Sequence, residues 1–277
     1  MNSFPENPEA VPKTQLSSTS EQATTPPSEP AAAPLPDPAW NGWDVLRILI
    51  IGVVVLLGTL LVLIRIVPGT NVQQRANNLN AHPELVVIGQ MIGYLLLLGY
   101  MYILVTRERR RPRFWQTVHW KWPASVWSYL AGGVFLQLIF LLAERFLPFP
   151  KETPFDALLQ RPYSIFLIAV FAVTLGPLME ELFFRGFLYP VLSRRLGVTT
   201  AISTTAFGFA LIHATQYGYS WASILLIFVF GLVLGVVRER TGSVAASFLV
   251  HVAYNGTIMV ILFVATSGFR HLEKLNQ

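Results

Sequence analysis

Long apolar runs alternate with short polar connections along most of the chain. Each run has about 17–23 residues, the length that an α-helix needs to cross roughly 30 Å of hydrocarbon. Backbone polar groups in lipid must be satisfied within their own segment, so the pattern predicts an all-α, polytopic membrane protein with about seven transmembrane helices around a polar cavity. An eighth helix, hidden in a split segment, is the alternative. The runs lie near residues 48–64, 85–105, 125–143, 163–179, 199–215, 221–237 and 243–265.

Residues 1–43 have a different character. They are rich in Pro, Ser, Thr, Ala and Glu. Such a segment buries too little apolar area to offset its ordering entropy, which predicts a disordered tail. It lacks the basic stretch followed by an apolar stretch that is typical of a signal peptide.

Charge and composition support the membrane assignment. Only 13% of the 277 residues are charged and 53% are hydrophobic, with a mean hydropathy of +0.52. The absence of cysteine excludes disulfides and thiol nucleophiles. The net charge of +5 comes from cations between apolar runs, which indicates membrane orientation rather than nucleic-acid binding. The positive-inside rule then predicts a cytosolic N-terminus. The richest connection carries Arg107, Arg109, Arg110, Arg111, Arg113 and Lys121.

Polar residues inside apolar runs are functional candidates, because they are costly in lipid unless paired. The segment 176–186 reads GPLMEELFFRG, where Gly176-Pro177 can open a fresh helix. Glu181 and Arg185 are four residues apart and should pair. Glu180 points about 100° away and has no local basic partner. This spacing assigns Glu181 and Arg185 to structural support and Glu180 to chemistry, although all three could instead form a charged cap at the water interface.

Two further runs contribute imidazole and amide groups. His213 lies late in the run FGFALIHA, and His251 and Asn255 share one face of the last run. Alone, a histidine such as His213 is more often an interhelical hydrogen-bond contact than a ligand, and His251 with Asn255 fits an interhelical hydrogen-bond pair equally well. Together with Glu180 they supply a carboxylate, two imidazoles and an amide, which suits the activation of water.

Three interpretations of this set stay open. In a peptidase, Glu180 is the general base, with a metal or with His213 polarising the water. Two histidines and one carboxylate, Glu180, His213 and His251, also match a hydrolytic zinc site with an open fourth position, but there is no HExxH motif. A catalytically silent scaffold protein and a transporter that uses the same polar residues are the alternatives.

EELFFR (180–185), FALIH (209–213) and HVAYN (251–255) resemble the three motifs of the CAAX protease and bacteriocin-processing family of intramembrane endopeptidases. The resemblance implies a catalytic core over residues 163–265, preceded by helices and a basic loop over residues 44–162 and followed by a C-terminal tail, 266–277. It implies hydrolysis of peptide bonds in lipid-associated or prenylated substrates, with surrounding lipids as the other partner. A divalent metal, with zinc first, is one option for the cofactor, and a metal-free site is the other.

Roles follow from the resemblance residue by residue. Glu180 and His213 would activate water, His251 and Asn255 would stabilise the oxyanion or help hold a metal, and Glu181 with Arg185 would support them. One difficulty concerns depth. A helix that starts near Thr199 puts His213 about 21 Å along its axis, so that Glu180 must lie equally deep. Continuation of the fourth helix to about Leu188 is one arrangement that would reconcile them.

Overall fold

The computed structural model describes residues 37–150, 153–154, 159 and 162–271. Within these residues every regular element is helical, and no strand occurs. The α-helices are α1 Gly42–Ile66, α2 Val72–Asn80, α3 Pro83–Ile103, α4 Phe114–Thr117, α5 Val126–Ala143, α6 Pro162–Val173, α7 Leu175–Glu181, α8 Tyr189–Leu196, α9 Val198–His213, α10 Trp221–Thr241 and α11 Val244–Ala265. Two π-helices interrupt them, Leu104–Glu108 after α3 and Leu182–Leu188 between α7 and α8.

The seven apolar runs correspond one to one with helical segments, which confirms the all-α membrane architecture. In the described part of the chain, six segments are long and apolar enough to cross a membrane, and α9 is a shorter apolar helix. The alternative of an eighth crossing helix finds no counterpart there. The main difference is the fourth run, which continues as one helical segment over Tyr163–Leu196 rather than ending near residue 179.

Connections on one side of the bundle contact each other directly. The backbone N–H of Val244, at the start of α11, donates to the carbonyl of His119 at 3.0 Å. The hydroxyl of Ser243 donates to the carbonyl of Lys121. These bonds join the α10–α11 turn to the loop between α3 and α5. We call this end of the bundle the basic face, since that loop carries the arginine-rich stretch.

The helices that form the centre pack through glycines. A Cβ built on Gly133 of α5 would lie 2.3 Å from the carbonyl oxygen of Val250 on α11. A Cβ on Gly231 of α10 would lie 3.0 Å from the Ala206 Cα on α9. Small residues let the helix backbones approach closely. This strengthens the van der Waals packing that drives helix association in lipid, where the hydrophobic effect between helices is absent.

The chain just before α1 belongs to the folded part of the protein. Asn41 caps α1, and its side chain accepts from the N–H groups of Trp43 and Asp44. Trp40 is 2% exposed, so the folded structure includes the last seven residues of the predicted tail, 37–43. The rest of the predicted tail, 1–36, and residues 272–277 at the C-terminus lie outside the described residues. Burial of the Trp40 side chain provides the free energy that offsets the entropy lost when this segment is ordered, which the Pro-rich composition alone did not indicate.

Candidate active site

Pro177 shapes the helix that carries the paired glutamates. Pro177 lacks an N–H and its ring crowds the carbonyl four residues earlier, so the helix breaks at Thr174 and restarts as α7 at Leu175. This confirms that Gly176-Pro177 opens a new helix. Glu180 and Glu181 are the last residues of α7, and the π-helix follows them directly.

Glu181 and Arg185 form the buried ion pair that their spacing predicts. Arg185 Nη1 donates to Glu181 Oε1 at 2.9 Å, and both side chains are 0% exposed. Arg185 Nη2 donates to the carbonyl of Gly231 at 2.9 Å. Its guanidinium also lies 4.9 Å from the ring centroid of Phe209. A buried charge is tolerated only with such partners. The ion pair therefore connects α7, α9 and α10 inside the bundle.

The depths of Glu180 and His213 agree because α8 and α9 form a helical hairpin. The fourth helical segment runs on to Leu196, the chain turns at Gly197, where φ is +82°, and α9 returns. Glu180 and His213 are nearly equally far from Gly197 along the chain, about 24–26 Å at ~1.5 Å per residue. The continuation of the fourth helix, longer than the expected end near Leu188, therefore removes the difficulty.

Three side chains from three helices converge at this depth. Glu180 Oε1 lies 3.9 Å from His213 Nε2, and Glu180 Oε2 lies 3.6 Å from His251 Nε2. Glu180 and His213 are 16% and 17% exposed, whereas His251 is 3% exposed. The structure thus brings together the acid and both imidazoles, and leaves Glu180 and His213 partly accessible.

The hydrogen bond of Nδ1 in each imidazole determines the tautomer, and therefore whether Nε2 can accept a hydrogen bond. His213 Nδ1 lies 2.8 Å from the carbonyl of Phe209, which can only accept, so Nδ1 carries the hydrogen. His251 Nδ1 lies 3.0 Å from Glu181 Oε1, the carboxylate that pairs with Arg185. In the neutral form, both Nε2 atoms then carry lone pairs that face Glu180. Three acceptors face one another, an arrangement that suits a water molecule, a proton or a cation between them.

The chemical types of these three side chains are those of divalent-metal ligands. Two imidazole nitrogens and a carboxylate are zinc ligands, and each ring has the outer hydrogen bond that usually orients a metal-binding histidine. Ligand atoms around a tetrahedral zinc ion lie about 3.3 Å apart, slightly closer than the 3.6 and 3.9 Å measured to Glu180. Among the residues that the structure describes, no group of three His, Cys, Asp or Glu side chains is already arranged to hold a metal ion.

Aromatic rings form the apolar wall of the site. The Phe209 ring lies 4.7 Å from the His213 ring and 5.7 Å from the His251 ring. The Phe230 ring lies 5.0 Å from the His251 ring. Phe209 and Phe184 are buried, whereas Phe207 is 56% exposed and faces outward. The wall lowers the local dielectric, which strengthens every electrostatic interaction of the acid and the imidazoles.

The same stretch of chain matches a family of known proteases. Residues 162–257 match the family model described as type II CAAX prenyl endopeptidase Rce1-like. The matched segment is similar to this family of CAAX endopeptidases. It includes α6 through most of α11, and therefore Glu180, His213, His251 and Asn255. No curated protein and no solved structure matches the chain.

Asn255 has a defined hydrogen-bond partner within the matched segment. Its Nδ2 donates to the carbonyl of Ala172 at 2.8 Å, beside the helix break that Pro177 causes. The amide of α11 therefore holds the end of α6 next to the start of α7. This bond uses one of the two Nδ2 hydrogens, and the predicted oxyanion role of Asn255 stays a prediction.

Two residues that bind the backbone after Glu181 are absent from the sequence-based site. Arg238 Nε donates to the carbonyl of Arg185 at 3.3 Å, and Trp40 Nε1 donates to the carbonyl of Phe187 at 2.9 Å. Pro190 is the signal that could have indicated the bond from Arg238. A proline in a helical run leaves an earlier carbonyl without its donor, and a donor from elsewhere must replace it.

Proposed function

We propose that this chain is an intramembrane endopeptidase that hydrolyses peptide bonds with water held by Glu180, His213 and His251. The observation that carries the proposal is the convergence of three hydrogen-bond acceptors, from α7, α9 and α11, on one partly accessible point. A scaffold has no use for mutually facing acceptors at membrane depth, which cost free energy unless a donor is bound between them. The family of the matched segment supports the same activity.

In the proposed reaction, water lies between Glu180 and His213 and donates its hydrogens to a carboxylate oxygen and to Nε2. As the water oxygen attacks the substrate carbonyl carbon, its proton passes to Glu180 and the carbonyl oxygen becomes an oxyanion. Glu180 then delivers that proton to the leaving nitrogen, and the C–N bond breaks. The aromatic wall keeps bulk water away from this step.

Two groups are available to the oxyanion. His251 would donate from Nε2 after that atom has taken up a proton, with its ring fixed by the bond from Nδ1 to Glu181. Asn255 can donate through the amide hydrogen that Ala172 does not use. The rigid pair of Glu181 with Arg185 keeps the His251 ring oriented, as the carboxylate does in a serine-protease triad.

A divalent metal is compatible with the same residues. Glu180, His213 and His251 would hold it, and a bound zinc ion would lower the pKa of its water and polarise the substrate carbonyl. The roles of the ring nitrogens Nδ1 are unchanged in that case, since both serve as outer hydrogen-bond donors.

The proposed substrates are peptides or proteins anchored in the membrane, and prenylated C-termini fit the family description. We propose that the basic face is cytosolic, with the N-terminus on the same side. Exposed cations concentrate there, as the positive-inside rule requires: Arg107, Arg110, Arg113, Lys121, Arg194 and Arg195.

The decisive experiment compares wild type with Glu180→Gln, which keeps the shape of the side chain and removes the base. The full-length protein in proteoliposomes is given a fluorogenic peptide with a prenylated Cys-a-a-X terminus, and bound metal is measured in the same samples. Loss of a general base should lower kcat by about 10²–10⁴-fold. The matched control is Glu108→Gln, which removes an exposed carboxylate paired with Arg47 far from the site.

Cleavage by wild type and by Glu108→Gln, but not by Glu180→Gln, supports the peptidase. Equal cleavage by all three proteins, or none by any, refutes the proposal. A scaffold would keep its biological activity in Glu180→Gln, and a transporter would lose flux instead. Metal that copurifies with wild type and is reduced in His213→Ala would favour the metal-assisted form.

A further inference from the structure

One carbonyl in the π-helix has lost the donor that its own helix would supply. In a π-helix the carbonyl of residue i accepts from the N–H of residue i+5, and here the Tyr189 N–H bonds to the Phe184 carbonyl. The next bond in this register would run from residue 190 to Arg185. Pro190 has no N–H, so that bond cannot form.

Arg238 supplies the missing hydrogen bond. Its Nε donates to the Arg185 carbonyl at 3.3 Å, and the side chain is buried at 5% exposure. The guanidinium also lies 5.6 Å from the ring centroid of Tyr189, at the start of α8. A buried carbonyl without a donor is destabilising, so Arg238 stabilises this backbone geometry.

Arg185 connects Arg238 with Glu181, the carboxylate that orients His251. Helix α10 holds Arg185 twice: Arg238 binds its backbone carbonyl, and the carbonyl of Gly231 accepts from its guanidinium. The same guanidinium pairs with Glu181, and Glu181 orients His251. A continuous set of bonds therefore leads from Arg238 to the imidazole that faces Glu180.

Trp40 holds a second carbonyl of the same π-helix. Its Nε1 donates to Phe187 at 2.9 Å, and the two rings pack with centroids 4.6 Å apart. Trp40 comes from the segment before α1, outside the matched family segment. Two elements that carry no member of the candidate site thus fix the backbone immediately after Glu181.

We propose that Arg238 and Trp40 are positioning residues for catalysis: by binding the Arg185 and Phe187 carbonyls they set the geometry in which Arg185, Glu181 and His251 act. This inference rests on the proposed function. A displacement of 1 Å at a reacting group can cost about 10²-fold in rate, so two hydrogen bonds on this backbone are enough to matter.

The test measures kcat and KM separately for the full chain in proteoliposomes, with the prenylated fluorogenic peptide. Arg238→Met removes the donor and keeps the aliphatic stem, whereas Arg238→Lys retains a donor. We expect kcat to fall about 10–100-fold in Arg238→Met with KM within about twofold of wild type, and to recover most of the loss in Arg238→Lys. Arg194→Met, the same change at an exposed position of α8, is the control and should match wild type.

Trp40→Phe provides a second, milder variant in case Arg238→Met does not fold. It keeps the ring on Phe187 and removes only the Nε1 hydrogen, and we expect a smaller loss of kcat. Trp43→Phe is its control, since Trp43 is 74% exposed. Wild-type kcat in folded Trp40→Phe or Arg238→Met would overturn the positioning role, and so would equal losses in Arg238→Met and Arg238→Lys.

A measurement without substrate separates this inference from the proposed function. If Arg238 acts through Arg185 on Glu181, thermal unfolding of Arg238→Met, Glu181→Gln and the double variant should be non-additive, because the three residues share one network. Additive shifts in Tm would refute the coupling whether or not the peptide is cleaved. Absent cleavage by wild type, together with non-additive shifts, would refute only the peptidase.

Discussion

The contact of Gly133 with α11 allows a sharp test of how tightly the site depends on helix packing. A methyl group at Gly133 would lie 2.3 Å from the Val250 carbonyl oxygen and 2.7 Å from the Ala253 Cβ. Carbon needs about 3.5 Å from such atoms, so Gly133→Ala must move α5 and α11 apart by roughly 1 Å. His251 lies on α11 directly after Val250, and its nitrogen is already 3.6 Å from Glu180.

We expect Gly133→Ala to lower kcat by about 10²-fold, the usual effect of a 1 Å displacement. Overpacking should also reduce the free energy of unfolding by about 1–3 kcal/mol. The assay is cleavage of the fluorogenic peptide, with thermal unfolding of the same preparation. Gly132→Ala is a control one residue away, because a Cβ there meets no atom within 4 Å. Gly133→Ala with the activity and Tm of Gly132→Ala would show that the α5–α11 contact does not set the site.

Two further predictions concern buried charge and pH. Arg185→Met leaves Glu181 buried without its cation and should cost about 3–5 kcal/mol in the free energy of unfolding, whereas Glu181→Gln together with Arg185→Met should recover part of the loss; equal Tm values for the single and double variants would contradict this. Burial, and then the positive charge of Arg238, lower the pKa of His119 below its ordinary 6.5, while Asp37 opposes them and Lys121 adds to them. The unfolded chain therefore binds more protons, so stability should fall as pH drops below about 6.5, and His119→Gln should flatten the dependence of Tm on pH in that range.

The sequence predicted the helices because lipid makes hydropathy and length decisive. It also separated Glu180 from Glu181 correctly as structural positions, since the 100° step between neighbouring residues is a property of any helix. The continuation of the fourth helix beyond residue 179 was harder to predict. The paired glutamates suggest that the membrane run ends near residue 179. The helix instead continues to Leu196, where Arg194 and Arg195 lie at the basic face.

The features that the sequence did not predict are contacts between distant segments. Arg238 lies in an apolar helix and Trp40 at the end of a Pro-rich stretch, and neither position indicates which carbonyl it binds. The π-helix has no compositional signature apart from Pro190, and its register depends on the donors that pack around it. The convergence of Glu180, His213 and His251 could be proposed from motif order, but their separations depend on glycine contacts such as that of Gly231 with Ala206.

The short helix α9 has a consequence for the surrounding bilayer. At ~1.5 Å per residue its 16 residues extend about 24 Å, several ångströms less than the hydrocarbon thickness of an average membrane. Lipids next to His213 must therefore compress, or the polar boundary must dip inward at that end. We expect the acid and imidazoles to lie closer to headgroups and solvent than the length of the other helices implies, which would make the thickness of the host membrane a physical variable of this protein.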